Sequence, residues 1–360
     1  MSGFIAVVLV LGVLIFFHEL GHFIMARLLR IGAPTFSLGF GPRLAAFRWG
    51  KTEYRLSAFP LGGYVHLAGE SSEEDAAEGF AQEELFSARP AWQRMVVVAA
   101  GPIFNLVLAW AILWALLWTW GDATLAPRIS HVLEDSPAQA AGVQPGDTIT
   151  AIDGEAVTTF DQVYQSVALS EGRTMRFTLE RDGVSRTVAI TPKVIDDSVG
   201  FLRFTRSQIG VAPDPKSLVQ LSYNALTAAP AAVDRTWEMV RQVQDVLVRI
   251  IGGRNSVKNL GGPISIVALV THQAAEGLYS VLLTAAFISV NLGLLNLFPI
   301  PVLDGGHILF LAIEAIRRKP VPERWQLFST RIGLGLLIGL MLLATVNDIS
   351  RIDFGGIFKR

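Results

Sequence analysis

Residues 95–120, MVVVAAGPIFNLVLAWAILWALLWTW, carry no charge at all. This run limits the fold more than any other feature, because a backbone inside hydrocarbon must satisfy every N–H and C=O internally. A helix does so within one segment, and this one is long enough to cross ~30 Å of lipid core. Trp110, Trp114, Trp118 and Trp120 suit its interfacial end. Three more runs follow the same logic. The first extends from about Phe4 to Leu29 and ends in Arg27 and Arg30. Residues 277–303 are uncharged but interrupted by Pro299 and Pro301. The fourth, 332–347, has only sixteen residues between Arg331 and Asp348 and would cover roughly 24 Å. A mean hydropathy of +0.44 and a charged fraction of 17% agree with membrane spans alternating with a soluble module.

Charge gives an orientation. Arg27, Arg30, Arg43, Arg48, Lys51, Arg55, Arg89 and Arg94 fall between the first two runs, and Arg317, Arg318, Lys319 and Arg324 between the last two. Both loops are expected on the cytoplasmic side. Residues 122–276, the N-terminus and the C-terminus then face outward. MSGF lacks the basic stretch of a cleaved signal, so the first span is expected to be retained. A net charge of -1 gives no reason to expect nucleic acid.

Between the spans the pattern changes. TFSLGF, RLAAFRW, EYRLSAF and YVHL, within 35–67, read as short strands, with WGKT as a hairpin turn. The acidic stretch 70–84 reads as a mobile surface loop. Residues 126–193 read as a compact α+β module: Ser136 caps a helix that stops at Gly142, TITAI is a strand, and Asp153-Gly154 and Asp182-Gly183 are turns. Residues 231–251 place Val233, Trp237, Val240, Val243, Leu247 and Ile250 at helical spacing. That helix lies either on the outer membrane surface or on the protein's own domain.

The first run holds an anomaly. FFHELGHF, residues 16–23, sets two histidines and a glutamate where lipid is expected. His18 and His22 are four apart, so a helix puts both imidazoles on one face, able to hold one Zn²⁺. Glu19 stands beside them, within reach of a polarised water as general base. Burying these groups costs several kcal/mol unless they are paired or ligated. Catalytic zinc takes three protein ligands and keeps one position open. The chain has no cysteine, so the third ligand must be His, Asp or Glu. Asp304 ends the third run in NLFPIPVLDGGH, 296–307, where the prolines break the helix and Gly305 and Gly306 allow a tight turn. His307 competes for the role, and Glu314 is a weaker alternative. His66, His131 and His272 lack partner spacing and are read as non-catalytic.

HELGH, GPIFN (101–105), GDTITAIDG (146–154), GGPISI (261–266) and NLFPIPVLDGGH occur in that order. Together they resemble the site-2 protease family of intramembrane zinc metalloproteases, and within it the branch of the bacterial regulator of sigma-E protease. The resemblance covers nearly the whole chain. It implies His18, His22 and Asp304 as zinc ligands and Glu19 as catalytic base. It implies that Asn296 and Pro299, in the N-x-x-P-x-x-x-x-D-G motif, shape the substrate path. It also implies a membrane-inserted β-hairpin sheet over 35–67 and, through GDTITAIDG, one PDZ module, a type that binds extended peptide ends by strand addition. RISHV, 128–132, is the candidate groove strand. The expected substrates are single-pass membrane proteins such as anti-sigma factors, or remnant signal peptides, cut in regulated intramembrane proteolysis at a bacterial inner membrane.

The expected architecture is therefore a multi-pass α-helical membrane protein with about four transmembrane helices, a membrane-associated β-hairpin sheet and one extracytoplasmic PDZ domain. The divisions are 1–30 (first span), 31–90 (β region and acidic loop), 91–121 (second span), 122–215 (PDZ domain), 216–262 (amphipathic helix), 263–316 (broken third span) and 317–360 (loop, fourth span and tail). Two other functions fit parts of the pattern. A zinc transporter uses intramembrane His and Asp with broken helices, but gives Glu19 nothing to do. A membrane-anchored PDZ adaptor leaves HELGH and LDGG unexplained.

Overall fold

The computed structural model describes residues 3–70, 79–199, 202–251 and 262–350. Most of the acidic stretch expected to be a mobile loop, 71–78, lies outside the described residues, as do Gly261 and the tail beyond 350. The chain divides into two compact units. One comprises Met1–Leu116, Ala229–Asp245 and Gly262–Val346; the other comprises Leu117–Ala228, Val246–Gly261 and Asn347–Arg360.

The first unit opens with helix α1 (Gly3–Leu28). Strands β1 (Thr35–Trp49) and β2 (Thr52–His66) follow, joined at Gly50 and Lys51. Each strand is folded on itself. Pairs from Thr35–Glu53 to Leu38–Leu56 run in the same direction, those from Thr35–His66 to Leu38–Gly63 in opposite directions, and Trp49–Thr52 back to Arg43–Ser57 closes the hairpin. The four short segments read from the sequence are thus arms of two long strands, set side by side as 43–49, 52–57, 35–38 and 63–66. Ser37 and Ser57 share a buried hydrogen bond, and Thr52 donates to the Ala33 carbonyl. Leu44, Phe47 and Trp49, on the outermost arm, are exposed.

Helix α2 (Ala91–Trp120) carries Pro102 in its interior. Among the described residues four helices are long and apolar enough to cross a membrane: α1, α2, Leu278–Asn296 and Arg324–Ser350. The last corrects the expectation of a short span at 332–347. Arg324 and Arg331 sit inside the helix rather than ending it, since a long cationic side chain can run along an apolar helix and keep its head in water.

The second unit contains β3 (Asp122–Leu125), β4 (Ile129–Val132), α3 (Pro137–Ala140), β5 (Thr148–Ile152), β6 (Glu155–Ala156), α4 (Phe160–Ala168), β7 (Met175–Arg181), β8 (Val184–Ile190), β9 (Lys193–Val199), β10 (Leu202–Gln208), β11 (Val211–Pro213) and β12 (Leu218–Leu221). A sheet of order β6-β5-β7-β8 backs a core of Ile129, Ile149, Val163, Phe177, Leu179 and Ile190. Ser136 caps α3 by accepting from the Gln139 N–H, and Gly142 stops it at φ +76°. Asp153-Gly154 and Asp182-Gly183 each have two positive φ angles, the requirement of a tight hairpin turn. The β9–β10 hairpin and the β3–β12 pair were not legible, and β12 lies beyond the expected end at 215. RISHV becomes β4, but β11 occupies one edge of it and Arg128 bridges to Thr148.

Helix α5 (Ala225–Ile251) begins six residues before the expected 231, because Asn224 accepts from the N–H groups of Leu226 and Thr227. Its expected single apolar face is divided: Val240 and Val243 are buried, Val233 and Trp237 exposed. The expected broken third span, 263–316, is three helices: α6 (Pro263–Glu276), α7 (Leu278–Asn296) and α8 (Asp304–Arg317). Gly277, at φ +128°, separates α6 from α7. At about 21 Å, α6 is too short to span alone; its Val270 packs among Ala6, Val7, Val10 and Leu14 of α1. Helix α9 (Glu323–Ser350) completes the described fold.

Candidate metal centre

His18 and His22 lie one turn apart on α1, as their spacing requires. The approach of α2 sets their surroundings. A Cβ on Gly21 would stand 2.4 Å from the Ala100 carbonyl oxygen, so only glycine lets these backbones meet so closely. On the facing side, a Cβ on Gly101 would stand 2.3 Å from His22 Nε2 and 2.9 Å from His18 Cε1. The space beside the imidazoles exists because residue 101 has no side chain.

Asp304 arrives from the other end of the chain. Helix α7 ends at Asn296, three residues before Pro299, and the chain turns through 297–303. Gly305 and Gly306 let the start of α8 press onto that turn: a Cβ would lie 2.2 Å from the Phe298 oxygen or 2.3 Å from the Ile300 oxygen. This packing sets Asp304 in the first turn of α8, facing α1. Asp304 Oδ2 is 3.2 Å from His18 Nε2, and its Oδ1 is 3.7 Å from His22 Nε2. The two Nε2 atoms are 3.3 Å apart. One donor atom from each of the three residues lies within 4.8 Å of the others.

The rival ligands fall elsewhere. His307 is exposed and outside this cluster. Glu314 accepts from Arg94, which occupies its carboxylate. His272 faces Glu276 at 3.5 Å. Asn296 Nδ2 is 3.5 Å from His18 Nε2, whereas Pro299 is exposed on the turn. Glu19 is partly buried. Its carboxylate faces the Val65 N–H, and a Cβ on Gly63 would stand 3.2 Å from its Cγ. The 63–66 arm of the sheet thus runs alongside Glu19.

Helix α2 supplies groups that sequence reasoning missed. His22 Nδ1 donates to the Val97 carbonyl at 3.0 Å, which leaves the Nε2 lone pair facing Asp304. Asn105 is fully buried, with Nδ2 3.1 Å from His18 Nδ1. Its advance signals were an amide inside an apolar run and its place at the end of the GPIFN motif. Two imidazole nitrogens and a carboxylate oxygen around a side-chain-free cradle form a donor set suited to Zn²⁺. The residues present fit that ion.

The model of Peptidase family M50 matches residues 6–340. A Campylobacter jejuni protein is 38% identical over 353 residues, covering 97% of this chain and 94% of that one. An Agrobacterium fabrum protein is 37% identical over 366 residues, covering 97% and 96%. Both bear the name "Putative zinc metalloprotease". The zinc metalloprotease RasP of Bacillus licheniformis is 30% identical over 431 residues, covering 98% of this chain and 100% of that protein. Among solved structures, the PDZ domain of an SdrC-like protein from Listeria monocytogenes aligns with 25% of this chain and 87% of its own, at 22% identity and a TM-score of 0.21, too slight a likeness to carry a fold argument. With the family model spanning nearly its whole length, the chain belongs to peptidase family M50.

Proposed function

We propose that the chain is an intramembrane zinc metalloprotease that hydrolyses peptide bonds in the transmembrane segments of membrane-tethered proteins. Two observations support the reading: relatives named as zinc metalloproteases, and His18, His22 and Asp304 gathered beside Glu19 on helices apolar enough for the bilayer. The second carries it, because a peptidase in lipid needs an ion and a base where water is scarce. His18 Nε2, His22 Nε2 and an Asp304 oxygen would hold zinc, which polarises a carbonyl and makes water more acidic.

The chain's own residues do the rest. Glu19 takes the proton of the attacking water on its carboxylate and delivers it to the departing amide nitrogen. A substrate helix hides its amides in internal hydrogen bonds, so it must unwind locally. The outer edge of the 63–66 arm, beside Glu19, holds the unwound stretch extended by strand addition. Asn296 and Pro299 flank the approach.

The positive charges between spans support an orientation with the 30–90 region toward the cytoplasm of a bacterial inner membrane, and residues 122–276 and both termini toward the outside. Residues 122–215 act as a PDZ module that receives peptide C-termini and bars substrates whose outer domains are untrimmed. Anti-sigma factors and remnant signal peptides are the substrate classes expected. The test pairs metal analysis with cleavage of a transmembrane reporter. Glu19→Gln should retain zinc and lose about 10²- to 10⁴-fold in rate. Undiminished cleavage by that variant removes Glu19 from the reaction.

A further inference from the structure

Beyond Gly101, the GPIFN segment of α2 has no assigned task. We propose that its last residue, Asn105, is a positioning residue that holds His18 in the one tautomer able to offer Nε2 to the metal, which deepens the metal-centre reading above and rests on it. A neutral imidazole carries one proton. If His18 carries it on Nε2, it can donate to Asp304 but has no lone pair there for an ion. If it carries it on Nδ1, that proton needs an acceptor inside the apolar helix packing.

Asn105 is the side chain in place to accept. It is wholly buried and stands 3.1 Å from His18 Nδ1. Its Oδ1 has no hydrogen-bond partner among the described residues. Turning the carboxamide by half a revolution brings that orphaned oxygen onto Nδ1–H and frees Nε2 as a ligand. Leaving a buried amide oxygen unpaired costs about 1–3 kcal/mol; the turned arrangement gives that oxygen a donor, moves Nδ2 into the place the oxygen held, and completes the metal's donor set. The main chain at this point is fixed independently: Ser289 Oγ, from α7, donates to the Asn105 carbonyl at 2.7 Å. Val97 performs the matching task for His22. One helix therefore sets the tautomer of both histidines.

The experiment measures zinc affinity of the detergent-solubilised full chain by competition with a chromophoric chelator, so it does not depend on proteolysis. Asn105→Leu, close in volume but without an acceptor, should bind zinc about 10- to 100-fold more weakly. Asn105→Asp, which keeps an acceptor, and Ser289→Ala, which disturbs the same packing but spares the amide, should each stay within about threefold of wild type. Leu-variant binding equal to wild type overturns the assignment. So does a loss in Ser289→Ala as large as in the Leu variant, which would mean packing alone is at issue. Should Asn105→Leu fail to fold, a tenfold loss in Asn105→Asp overturns it instead. A wild-type chain that binds no zinc, or whose zinc survives His18→Ala, removes the metal-centre reading itself.

Discussion

Gly101 shows how much a missing side chain can do. A methyl there would occupy the space 2.3 Å from His22 Nε2, and a helix backbone packed on both sides has little room to retreat. Gly101→Ala is expected to lower zinc occupancy at least tenfold, as read by metal analysis, at a stability cost of about 1–3 kcal/mol. Legibility at this scale followed the chemistry. His18, Glu19 and His22 announced themselves because charge in lipid is costly, and Asp304 because it ended an apolar run. Val97 contributes a backbone carbonyl, which every residue has, so nothing in the sequence marked it. Glu314 was weighed as a ligand because it is an acid after Asp304; its partner Arg94, far earlier in the chain, could be paired with it only in three dimensions.

That ion pair acts between elements. Arg94 begins the helix that supports both histidines, and Glu314 lies on the helix that starts at Asp304. Both side chains are mostly buried, at 14% and 17% exposure. Arg94→Leu should cost about 3 kcal/mol by stranding the carboxylate, and adding Glu314→Leu should recover most of it. Chemical denaturation of the two variants in one detergent checks the difference. Existence of elements was easier to read than their pairing. The four β segments were visible as apolar stretches between Gly and Pro. The parallel contact of 35–38 with 53–56 was not, because register depends on a fold-back that no local pattern encodes. The break at Gly277 was likewise hidden, since glycine is common in apolar spans.

Over the whole molecule, apolar runs long enough to span were legible because lipid imposes one solution on the backbone. The second unit was half legible: its turns are local chemistry, while β9 to β12 return over a distance. It also carries a pH response. The Asp147 side chain is fully buried, and burial alone would raise its pKa. Arg181, bound through Nε at 2.5 Å and Nη2 at 2.8 Å, and the Gln144 N–H outweigh this and hold the carboxyl below its ordinary value. The folded chain thus binds that proton less readily than the unfolded one. The stabilisation is complete above the unfolded pKa of about 3.9 and is lost as pH falls through the lower folded value. Melting scans from pH 6 to 2 should show a loss below about pH 4 that is smaller in Asp147→Asn.

The placement of the acidic donor on α8, far downstream of the two imidazoles, has a consequence for the ribosome and the insertion machinery. Translation at about 5–20 residues per second leaves the HELGH helix in the bilayer for tens of seconds before Asp304 is polymerised. On the proposed metal centre, the nascent chain lacks its third donor during that interval, and it cannot cut the translocon, its neighbours or itself until Asp304 has been delivered.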